Sequence, residues 1–144
     1  MSILADFFVS TPEQAIQYAS STEAHAALKA TLQPFETNGL TPLELGTLWA
    51  ILAGTEYDAK KHALEDVRWG ERNESWLFRI PEALVGLLAG MNQHALESVS
   101  ETWSETEELQ CSPRDVQPVL TALRDLADRQ TRAEGRSLYL WGSV

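Results

Sequence analysis

"SLYLWGSV", residues 137–144, decides the fold class of this chain. Leu138, Tyr139, Leu140 and Trp141 form a short apolar run after a glycine stop at Gly135, the pattern of a buried strand. A lone strand leaves its backbone N–H and C=O groups unsatisfied, so a partner must lie elsewhere in the chain. The natural partner is "LADFFV" at residues 4–9, a short and partly aromatic segment that also reads as a strand. The chain between them divides into helices. The expectation is an α+β fold, mainly helical, with a small sheet that includes the N- and C-terminal strands and helices packed on one face.

The helix starts are legible because their caps are local. Ser10 or Thr11 precedes Pro12, and Glu13 or Gln14 stands three residues after a cap, so a capping box opens a helix to about residue 20. A second helix covers 22–32 and is ended by Pro34. In "LTPLELGTLWAILAG", residues 40–54, Thr41 caps, Pro42 takes the first helical position, Glu44 closes the box and Gly54 supplies the left-handed stop. Leu43, Leu45, Leu48, Trp49, Ile51 and Leu52 wrap most of that helix, which places it at the centre of the fold. Pro81 opens a short helix stopped near Gly90, and Asn92 caps a longer one to about Leu109. Ser112, Pro113 and Asp115 start the last helix, which ends at Gly135. Pro118 is expected to kink its start. Asp125 with Arg129 and Asp128 with Arg132 are i,i+4 pairs in the favourable order, each worth a few tenths of a kcal/mol. Residues 63–80 alternate at Val67 and Trp69 and again at Trp76, Phe78 and Ile80, around "GERNES". A hairpin fits that pattern, while a helix over 61–69 competes with it.

The 144 residues suit a single globular domain, 1–144. Five tryptophans, Trp49, Trp69, Trp76, Trp103 and Trp141, are expected mostly to anchor its core. The formal charge of −10 argues against binding nucleic acid. One basic cluster, Lys60, Lys61, Arg68, Arg72 and Arg79, is interleaved with Asp58, Glu65, Asp66, Glu71 and Glu74 and reads as a mixed-charge surface. A single cysteine cannot form an internal disulfide, which fits a reducing compartment. "MSILADFFVS" carries an acid at position 6 and no basic region, so it is a poor leader pattern. The longest strongly apolar run, at 45–54, is about half the ~20 residues needed to cross a bilayer. The expectation is a cytoplasmic protein with no membrane contact.

Charge is distributed unevenly. Residues 80–113 hold six acids, Glu82, Glu97, Glu101, Glu105, Glu107 and Glu108, and no lysine or arginine. At ~100° per residue, Glu97, Glu101, Glu105 and Glu108 fall within about 60° of His94, while Leu96, Val99 and Trp103 fall on the opposite side. The glutamates therefore turn outward, either as an ordinary wet helix face or as a docking surface for a basic partner. Metal binding is disfavoured. Carboxylate-bridged sites need inward-facing acids with Glu-x-x-His, whereas His94-x-x-Glu97 and His62-x-x-Glu65 run in the reverse order. Cys111 sits among Glu105, Glu107, Glu108 and Asp115, whose charge raises a thiol's pKa, with no histidine nearby. No nucleophile elbow, phosphate-binding loop or dinucleotide fingerprint is present. The sequence thus points to no catalytic residue, no metal and no cofactor.

"LTPLELGTLWAILAGTEYD", "IPEALVGLLAG", "TWSETEEL" and "SLYLWGSV" together resemble the layout of small bacterial proteins, among them the DUF1877 family, with spacing of their own. That resemblance implies an α+β fold and almost nothing about activity. By type alone, the chain is also similar to small acidic immunity proteins, which block basic nucleases with clustered carboxylates. Three functional readings follow. The first is an interaction module that offers Glu97, Glu101, Glu105 and Glu108 to a basic protein, as an immunity-type inhibitor does. The second is a small enzyme or ligand binder with a scattered site near Trp69, Trp76 and the histidines, marked by His62, His94 or Cys111 gathering with carboxylates. The third is a module that associates with copies of itself.

Overall fold

A computed structural model of the chain describes residues 3–144. It has the expected α+β architecture. The five strands are β1 (Leu4–Ser10), β2 (Phe35–Asn38), β3 (Glu65–Trp69), β4 (Ser75–Arg79) and β5 (Ser137–Ser143), paired antiparallel in the order β2-β1-β5-β4-β3. The C-terminal strand sits in the middle, between β1 and β4. Being covered on both faces, a central strand needs apolar side chains in succession, which explains the run from Leu138 to Trp141.

Helices cover both faces of the sheet, not one as expected. Side chains alternate along a strand, so Ala5, Phe7 and Val9 point to one face and Asp6, Phe8 and Ser10 to the other. The first set joins Leu138, Leu140, Trp76 and Phe78 in the larger core. That core is closed by α3 (Pro42–Ala53), α4 (Glu82–Ala89), α5 (Gln93–Ser104) and α6 (Pro113–Thr131). The opposite face buries Phe8, Leu77 and Tyr139 under Ala15 and Tyr18 of α1 (Pro12–Ser20), with Leu28 and Leu32 of α2 (Thr22–Leu32) beside them. Both Phe7 and Phe8 are fully buried. Two adjacent buried aromatics in one strand require two covered faces.

The caps form as their residues dictate. Thr11 and Thr41 each make a capping box, with Gln14 and Glu44 respectively, and Ser21, Asn92 and Ser112 accept from the first turns of α2, α5 and α6. Gly54 closes α3 at φ 70°, where it carries no Cβ penalty. α3 is less enclosed than its composition suggests. Leu45 and Leu48 are fully buried, but Leu43 is 46% exposed. α6 runs unbroken past Pro118. Its Asp128–Arg132 pair forms at 3.2 Å, whereas no Asp125–Arg129 pair occurs among the described residues.

The ambiguous stretch 63–80 is the β3–β4 hairpin. Arg72 and Asn73 turn the connection at φ 57° and 56°. The register slips between Asp66 and Arg68, so Val67 is an extra, exposed residue in the edge strand. Trp69 is 45% exposed, against Trp76 at 8% and Trp103 at 0%, and Trp49 and Trp141 are half-buried. The tryptophans therefore divide between core and surface.

α5 ends at Ser104, five residues before the expected Leu109. Continued as a helix, the chain would carry Leu109 about 60° from His94, on the wet side. Instead it turns, with Gln110 at φ 44° and Cys111 N–H bonded to the Ser104 carbonyl at 3.0 Å. Leu109 and Cys111 then pack on the larger core. Hydroxyl groups assist the stop, since Ser104 Oγ donates to the Glu101 carbonyl and Thr106 Oγ1 to that of Trp103.

Candidate functional site

The acidic row is only partly helical. Glu97 and Glu101 stand on α5, Glu105 is its C-cap, and Glu107 and Glu108 follow in the turn; all five are exposed. Leu96 and Trp103 are buried beneath them, and Trp103 Nε1 donates to the Glu44 carbonyl of α3 at 3.1 Å. Val99 is half-buried. No ion pair engages these carboxylates among the described residues. Glu97 has one neutral contact, from Gln93 Nε2 at 3.4 Å. The last turn of α5 holds no basic residue, and acids gather at its negative end. That is the unfavourable sign for a helix dipole.

The residues with catalytic potential do not converge. His62 is buried in the α3–β3 connection, where Nδ1 accepts the Asp58 N–H at 2.9 Å and Nε2 lies 3.4 Å from Thr55 Oγ1. Trp49 and Tyr57 flank its ring at 5.4 and 6.0 Å, so it organises this loop. His94 is exposed in the first turn of α5. Cys111 lies in the α5–α6 connection, and its thiol pKa is raised by burial first and by Asp115 second, which makes it a poor nucleophile. Trp69 packs on Trp76 and Phe78 at 5.9 and 5.8 Å and donates to Asp66 Oδ2 at 2.7 Å, without a histidine. No group of three or more His, Cys, Asp or Glu side chains has metal-holding geometry among the described residues. Nor is any helix there long and apolar enough to cross a membrane.

A different polar site lies on the α1–α2 face of the sheet. Asp6, in mid-strand, is 3% exposed. Its Oδ2 accepts the Tyr18 hydroxyl at 2.5 Å and stands 3.9 Å from His25 Nε2. His25 Nδ1 lies 3.2 Å from the Tyr18 carbonyl, and its ring packs at 4.5 Å on Trp141. Strand register places Glu36 and Trp141 directly on either side of Asp6. Lys29 reaches from α2 to Glu36 at 2.6 Å. His25 and Trp141 line two adjoining cavities of about 280 and 370 Å³, the first with Asp6, Lys29 and Glu36 and the second with Glu71 and Glu74.

Burial pushes the Asp6 pKa up from its ordinary value of 3.8, against the lowering effect of the Tyr18 hydrogen bond. Burial, followed by the same bond, pushes the Tyr18 phenol far above its usual value. A carboxyl that binds its proton more tightly when folded contributes stability fully below pH 3.8, and that contribution is lost as pH rises through the higher folded value. Wild-type protein is therefore expected to lose stability relative to Asp6→Asn across that window in urea titrations at several pH values. A constant difference would refute the shift.

The chain matches no family model, no curated protein and no solved structure in these comparisons. The site must be read from its own geometry. Sequence analysis missed Asp6, although a signal was present: an acid flanked by Ala5, Phe7 and Phe8 in a strand has to be buried or face a pocket.

Proposed function

We propose that this protein is an interaction module whose acidic edge, Glu97, Glu101, Glu105 and Glu108, receives a basic protein partner, in the manner of an immunity-type inhibitor. One observation carries the reading: exposed, unpaired carboxylates gather at the negative end of α5, where they oppose the helix dipole. Folding alone favours lysine or arginine at such positions, by about 0.3–1 kcal/mol each. A surface that forgoes this stability fits one shaped by a partner. An unbalanced negative field accelerates encounter with a cationic surface and repels acidic ones.

Glu101→Lys with Glu105→Lys tests this reading through two opposite changes. The double variant is expected to unfold at equal or higher urea concentration than wild type. It is also expected to lose, by at least about tenfold, capture of a basic protein that wild type retains at low salt and releases as salt rises. Equal capture by both proteins would remove the acidic edge from consideration. A variant less stable than wild type would show that these carboxylates serve the fold.

A further inference from the structure

We infer that the row Glu36–Asp6–Trp141 on the α1–α2 face binds a primary alkylammonium group. The inference is independent of the acidic edge, because α5 packs on the other face of the sheet. Asp6 and Glu36 are cross-strand neighbours, and two carboxylates directly opposed on adjacent strands destabilise a sheet unless a cation lies between them. Two basic side chains stand beside them: Lys29 engages Glu36, and His25 Nε2 lies 3.9 Å from Asp6 Oδ2. Asp6 keeps an oxygen in reserve. Its side chain is 5% exposed, Oδ2 takes the Tyr18 hydroxyl, and no protein group among the described residues donates to Oδ1. Asp6 lines the cavity of about 280 Å³ together with Glu36, Lys29 and Trp141.

The walls select the kind of cation. Trp141 lies beside Asp6 in register and lines the same cavity, so an ammonium on Asp6 would have an indole within reach for a cation–π contact. Leu4 and the His25 ring add apolar surface for a short aliphatic stem. A bare metal ion fits poorly, since no metal-holding cluster occurs among the described residues.

The experiment follows the five tryptophan indole N–H signals by NMR during titration with n-butylammonium chloride, with the Trp141 signal assigned from Trp141→Phe. Nα-acetyl-lysine N-methylamide serves as a second probe, to separate a free amine from a lysine side chain of a protein. Saturable movement of the Trp141 signal with either probe, weakened at least tenfold in Asp6→Asn, supports the site, and the tighter probe identifies the source. 1-Pentanol, which lacks the charge, and potassium chloride at equal ionic strength should leave the signal unmoved. Absence of saturation with both amines, an equal response to potassium chloride or pentanol, or unchanged affinity in Asp6→Asn would each overturn it. Should Asp6→Asn not fold, Trp141→Leu, read by calorimetry with n-butylammonium, provides the same comparison.

Discussion

Trp103→Ala is expected to destabilise the protein by about 3–5 kcal/mol, the range for emptying a buried tryptophan site. Trp103 is fully buried in the larger core and its indole N–H ties α5 to the Glu44 carbonyl at the start of α3. Truncation leaves a cavity between helices that already have interlocked neighbours, and the surroundings can collapse only partly. In a chain of this length the loss corresponds to a fall in Tm of roughly 10–15 °C. Trp103→Phe retains most of the apolar surface but gives up the indole hydrogen bond, so its cost should be about 1–2 kcal/mol. Differential scanning calorimetry of both variants checks the order. Equal losses would mean that the hydrogen bond, and not the buried volume, dominates at this position.

Gly142→Ala should cost about 1–3 kcal/mol, far more than alanine usually costs in a strand, because a bulky ring occupies the space its Cβ needs. A Cβ at position 142 would lie 2.1 Å from Trp76 Nε1 and 2.4 Å from Trp76 Cε2. Gly142 faces Trp76 across the β4–β5 pair, and the indole lies directly over the glycine. That ring is 8% exposed and backed by Trp69 at 5.9 Å, so it has little freedom to withdraw. Removing the obstacle should relieve the clash. In a Trp76→Leu background, Gly142→Ala is expected to be nearly neutral, giving a coupling energy above about 1 kcal/mol in a double-mutant cycle by urea denaturation. Additive losses would show that the glycine is required for its backbone and not for the close approach.

Trp76 and Gly142 also show where sequence reading stops. The alternation of Trp76, Phe78 and Ile80 was enough to propose a strand, but it could not say that Trp76 would lie over a glycine sixty-odd residues later. The same holds for the acidic row. Helical spacing correctly turned Glu97 and Glu101 outward and Leu96 and Trp103 inward. It overextended α5, because the stop before Glu105 arises where Leu109 must return to the core. The tryptophans were expected mostly in the core, yet Trp69 is exposed, since β3 is an edge strand. For the site on the α1–α2 face, the sequence showed an acid within an apolar strand and nothing of its partners. Tyr18 and His25 come from two helices and Trp141 from the opposite end of the chain.

By itself the sequence determined where most helices begin and that the two terminal segments are strands suited to pair, while it left 63–80 open between hairpin and helix and gave no sign of β2. Those outcomes depend on hydrogen bonds and side-chain periods that reach only a few residues along the chain: Thr11 to Gln14, Thr41 to Glu44, Asn92 to Ala95. Only the tertiary structure decided that β5 takes the centre of the sheet, that helices cover both faces, and that Asp6 stands between Glu36 and Trp141. Those outcomes depend on which distant apolar faces bury one another, and the energy of that burial belongs to no single segment.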